Sequence, residues 1–85
     1  MTGTILVVDD EKNYLWMLDE LLRSQGYEVV TCEKGAHALT VLKESTVDVL
    51  LTDLRMAEMD GMTVLDKAWE LCPTTSTVLM TAYGT

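Results

Sequence analysis

Four side chains of this sequence stand where short apolar runs break off: Asp9 and Asp10 after residues 5–8, Asp53 after residues 47–52, and Thr81 after residues 77–80. Three carboxylates and a hydroxyl in such places suit chemistry carried out with hard oxygen atoms. If the runs are neighbouring strands of a parallel sheet, the carboxylates of the first and third meet across one strand spacing, about 5 Å. Two unit charges that far apart repel by roughly 3 kcal/mol at an effective dielectric near 20, so the group must take up protons or a cation. Oxygen ligands with no His or Cys near them in sequence favour magnesium, which keeps several waters and binds phosphate oxygens. A carboxylate beside such an ion can attack phosphorus to form an acyl phosphate, and Thr81 can donate its hydroxyl to a phosphoryl oxygen.

The elements needed to bring these residues together are legible as alternating patterns. Residues 5–8 are wholly apolar and largely β-branched, as a strand buried on both faces requires. Tyr14, Leu15, Met17, Leu18, Leu21 and Leu22 then recur at helical spacing, and Gly26 stands where a left-handed helix cap is wanted. Val29 and Val30 make a second strand, and Ala36, Leu39 and Leu42 mark one face of a second helix. A third strand over 47–52 ends at Asp53. A loop follows, then a third helix over about 62–71, with Asp60 as its N-cap and Pro73 preventing its continuation. Residues 77–80 form a fourth strand. Strands and helices alternating at this interval imply right-handed crossovers and a parallel sheet with helices on both faces. Ligands of such sheets bind at the carboxyl ends of the strands, where the strand order reverses.

Composition narrows the partners. With 85 residues the chain makes one domain at most, spanning 1–85, or a piece of one. A net charge of -8 repels phosphate backbones and anionic headgroups, which argues against direct nucleic-acid or membrane binding. No apolar run approaches the ~20 residues of a membrane span, and no basic leader opens the chain, so the expected location is cytoplasmic. Cys32 and Cys72 lie far apart and read as buried small hydrophobes rather than metal ligands.

Val7-Val8-Asp9-Asp10, Leu51-Thr52-Asp53-Leu54-Arg55-Met56, Met59-Asp60-Gly61 and Leu79-Met80-Thr81-Ala82 together resemble bacterial response-regulator receiver domains, over essentially the whole chain. The Asp-Leu-Arg-Met stretch and the closing Thr-Ala-Tyr-Gly-Thr look most like receivers of sigma-54-dependent, enhancer-binding transcription activators. The resemblance implies a flavodoxin-like, doubly wound parallel α/β sheet of order 2-1-3-4, with Asp53 as phospho-acceptor. It also implies Asp10 as direct metal ligand, Asp9 acting through a metal-bound water, the backbone carbonyl of Arg55 as a further Mg2+ ligand, and Thr81 as switch hydroxyl. A histidine kinase is the implied phosphodonor, and transcription the regulated output, through a domain outside this chain. At most, Asp53 would phosphorylate and dephosphorylate itself, without turning over a separate substrate. Two departures stand out. The family usually carries Pro where this chain has Ala57, which loosens the loop after the acceptor without removing a ligand. The family also continues through a fourth helix, a fifth strand bearing a phosphoryl-contacting Lys and a fifth helix; no lysine here takes that role.

Plainer roles compete for several residues. Glu11 and Asp60 suit helix capping and first-turn electrostatics better than metal binding. Thr81 on spacing alone serves a turn equally well. His37 is expected in solvent, Trp16 and Trp69 over helix edges, and Met56, Met59 and Met62 as core filling around the loop. A sheet that stops at strand four would leave an unpaired edge, so a second expectation is a truncated, inactive fragment that self-associates as a homo-oligomer along that edge. A phosphatase with an aspartyl nucleophile fits less well, because its motif is Asp-x-Asp after the first strand and this chain has adjacent Asp9 and Asp10.

Overall fold

The structure, a computed structural model, describes residues 3–53, 61–71 and 74–80, without the side chains of 53, 61, 62, 65 and 77–80. Asp60, Met56, Met59, Ala57, Cys72 and Pro73, and the side chain of Met62, therefore lie outside the described residues. Four strands and three helices alternate: β1 Thr4–Val8, α1 Lys12–Ser24, β2 Glu28–Cys32, α2 Gly35–Glu44, β3 Val49–Asp53, α3 Gly61–Leu71 and β4 Ser76–Met80. The strands form one parallel sheet in the order β2-β1-β3-β4, the order expected.

β1 lies between two neighbours, and Leu6, Val7 and Val8 are inaccessible to solvent, which is why its sequence carries no polar alternation. The pleat splits the core into two layers. Leu6, Val8, Cys32 and Leu50 pack with Ala38 and Leu42 of α2 and Val64 and Ala68 of α3. Ile5, Val7 and Val29 pack with Leu15 of α1 on the other face, joined by the partly buried Leu18, Leu22, Val49 and Leu51.

α1 ends as its sequence predicts. Gly26 adopts φ +94°, its N–H donates to the Arg23 carbonyl at 3.0 Å, and the Tyr27 N–H reaches the Leu22 carbonyl at 3.3 Å. This is a Schellman closure, which favours glycine at the left-handed position. Arg23 then ties the helix end to the sheet, donating from Nη2 to the Val29 carbonyl at 2.8 Å and from Nε to Asp19 Oδ1 at 2.6 Å.

Two expectations need correction. The face of α2 turned to the core is Gly35, Ala38 and Leu42 with the partly buried Leu39, so the two leucines lie where expected, whereas Ala36 is exposed and Ala38 takes its place in the core. The third strand starts at Val49, although Val47 is buried in the core without being part of a ladder. Its carbonyl accepts the buried Thr75 hydroxyl at 2.7 Å. Trp16 and Trp69 are exposed, as is His37, and Met17 and Leu21 on α1 are also open to solvent.

Candidate functional site

β1 and β3 bring Asp9 and Asp53 to the carboxyl-terminal edge of the sheet, and β4 ends beside them. The register pairs Val8 of β1 with Cys32 of β2 and with Thr52 of β3. The next step along β1 is Asp9 and the next along β3 is Asp53, so the two occupy equivalent positions on adjacent strands, which in a parallel ladder lie about 4.8 Å apart. Asp53 in turn is paired in register with Met80, the last residue of β4, and Thr81 directly follows it in sequence. Arg55 and Thr81 lie outside the described residues, as does the side chain of Asp53.

The two adjacent acids at the end of β1 are unlike. Asp9 is buried, with 4% of its surface exposed, and Asp10 is exposed. The Asp9 N–H donates to the Cys32 carbonyl at 3.1 Å, extending the β1–β2 ladder by one residue. Its carboxylate Oδ1 accepts the Glu11 N–H at 2.9 Å. Glu11 is the N-cap of α1, its side chain accepting from the Asn13 N–H at 3.2 Å, which agrees with the capping role expected for it.

The donor set is chemically suited to a hard cation: two neighbouring carboxylates just after β1 and a third acid, Asp53, at the end of β3. Among the described residues no three acidic, His or Cys side chains gather into a metal-binding group, and the third carboxylate of the expected set is the one whose side chain is not described. Cys32, beneath this edge, is not reactive: burial pushes its thiol up to about 11. Two open clefts of about 280 and 330 Å3 lie between α1 and the β2 side, lined among others by Lys12, Trp16, Asp19, Glu33, Lys34 and His37. Their intermixed charges single out no ligand.

The sequence marked the strand-end acids and the cap at Glu11, but not that Asp9 is buried while Asp10 is exposed. The signal was present only in part: Glu11 before a helical run marks a cap, and a cap places its own N–H two residues after Asp9.

Comparison with known proteins agrees with this geometry. Residues 5–85 match the family described as the response regulator receiver domain. The transcriptional regulatory protein GlrR of Escherichia coli K12 is 42% identical over 80 residues, covering 94% of this chain and 18% of that protein. The DNA-binding transcriptional regulator NtrC of the same organism is 38% identical over 82 residues, 96% of this chain and again 18% of the relative. The chain thus spans about a fifth of the length of these curated relatives, and the expected likeness to receivers of sigma-54-dependent activators holds. Among solved structures, the response regulator TrrA of Thermotoga maritima, in complex with Mg(2+)-BeF, superposes with a TM-score of 0.91 at 34% identity, over 96% of this chain and 71% of that one. A CheY-like receiver domain protein of Methanospirillum hungatei gives a TM-score of 0.94 at 27% identity, over 100% and 68%.

Proposed function

This chain belongs to the family of response-regulator receiver domains, and we propose that it accepts a phosphoryl group on Asp53 from the phosphohistidine of a histidine kinase. The observation that supports this reading is the register that sets Asp53 one strand away from the buried acid Asp9 at the end of β1. In the transfer, a carboxylate oxygen of Asp53 bonds to phosphorus as the phosphorus–nitrogen bond of the donor breaks, and the imidazole nitrogen keeps the electron pair. Asp9, Asp10, Asp53 and the main-chain carbonyl of Arg55 are the residues we assign to Mg2+, an ion that would neutralise charge on the transferring group. Thr81, next to the last residue of β4 in sequence, donates its hydroxyl to the phosphoryl group, so that the altered charge at the strand ends moves Thr81 and the loop that follows. The output we assign is transcription, by analogy with GlrR and NtrC, and the compartment is the cytoplasm.

Incubation with Mg2+ and acetyl phosphate, followed by mass spectrometry, should show one added phosphoryl group that is lost in Asp53→Asn. Absence of the adduct in the unmodified chain would refute the reading.

A second reading is favoured by the sheet order. β4 lies at one end of the sheet with β3 as its strand partner among the described residues. A second copy pairing along that edge would give a homo-oligomer in place of a switch. A monomer by sedimentation at every micromolar concentration tried would remove this alternative.

A further inference from the structure

Three acids follow one another at the end of β1, and the structure gives them three different environments. Asp9 is buried, Asp10 is exposed, and Glu11 is exposed and takes part in three hydrogen bonds. The N–H of Glu11 donates to Asp9 Oδ1 at 2.9 Å, its carboxylate accepts from the Asn13 N–H at 3.2 Å, and its carbonyl accepts from the Leu15 N–H at 3.1 Å. Leu15 is in turn buried against Ile5, Val7 and Val29. Glu11 is therefore the joint through which the anchored helix fixes the direction of the donor that holds Asp9.

We propose that Glu11 is a positioning residue for the cation site: by capping α1 it orients its own N–H, and that N–H sets the carboxylate of Asp9 for the metal. This rests on the reading of Asp9 and Asp10 as magnesium ligands. The extended backbone of Glu11, φ -94° and ψ 106°, is the conformation an N-cap adopts. A side chain that cannot cap leaves the first turn of α1 free to fray. The turn from Asp9 to Glu11 then loses its fixed geometry, while the carboxylates themselves remain. Partners that orient a ligand in this way typically alter metal affinity by about 10- to 100-fold when removed. Glu11 does this through capping, not through its charge, and that distinguishes it from a third ligand.

The test is Mg2+ binding by calorimetry on four variants, with circular dichroism as the check on folding. Asp10→Asn removes a ligand and should weaken binding strongly. Glu11→Ala, which keeps the N–H but cannot cap, should weaken it about 10-fold. Glu11→Ser and Glu11→Gln, neutral but able to accept from Asn13, should restore most of the loss. If Ser and Gln bind as weakly as Ala, Glu11 acts by its charge or as a ligand and the proposal is overturned. Wild-type affinity in the Ala variant overturns it too. Should Ala fail to fold, the Ser and Gln variants still decide between capping and charge. If the wild-type chain binds no Mg2+, or Asp10→Asn binds as well as wild type, the metal reading itself fails and the proposal falls with it.

Discussion

The two faces of the sheet are made from the same strands yet are sealed to different degrees. On the side of α2 and α3, Leu6, Val8, Leu50 and Thr52 are all inaccessible to solvent. On the side of α1, Val7 is equally buried, but Val49 and Leu51 of β3 are only partly so. One residue along the same strand thus passes from full to partial burial. The cause is coverage: α1 packs chiefly over β1 and β2, and β3 lies beyond it. Two helices on one face fix the core, whereas the single described helix on the other supports the strand end that carries Asp9.

The largest test of this contrast is a pair of truncations one residue apart. Leu50→Ala should cost about 2–5 kcal/mol in urea unfolding, and Leu51→Ala about half as much, because its side chain leaves less buried volume behind. Equal losses would mean that the α1 face is as well packed as the other. Enlarging the sealed face should come next, with Ala68→Leu lowering stability by about 1–3 kcal/mol through overpacking against α2 and β3.

A pH titration reads the same face through Cys32. Burial raises its thiol from 9.0 to about 11 in the folded chain, so between these values the unfolded state has released a proton that the folded state keeps. Stability should hold steady up to about pH 9 and fall toward pH 11, and Cys32→Ala should lessen that fall. The smallest effect belongs to the open flank of α1: Leu21→Lys, at an exposed position, should change stability by no more than about 0.5 kcal/mol. A larger loss would show that this flank is covered in solution, which sedimentation of the same variant would detect as a change in association.

How much of the protein was legible depends on the residue. The run Ile5-Leu6-Val7-Val8 breaking into Asp9-Asp10 could hardly be anything but a buried strand with acids at its end. Gly26 announced its own conformation, since a left-handed cap excludes few residues as weakly as glycine. The core face of α2 was less readable, because Ala36 and Ala38 are equally apolar and which one is covered depends on how the helix sits against the sheet and α3. Val47 misled in the opposite way: it is apolar and buried, but a strand needs a ladder, and the Thr75 hydroxyl takes its carbonyl instead.

The candidate site divides along the same line. Sequence alone singled out Asp9, Asp10 and Asp53 as the acids that close apolar runs, and read those runs as parallel strands, because hydrophobic runs and their abrupt ends are local properties of the chain. It also marked Glu11 as a cap, and the family resemblance gave Asp9 and Asp10 different parts. Only the tertiary structure supplied their surroundings, since burial of Asp9 and the aim of the Glu11 N–H depend on β2 alongside, the helix beyond and Leu15 anchored in a core assembled from distant residues.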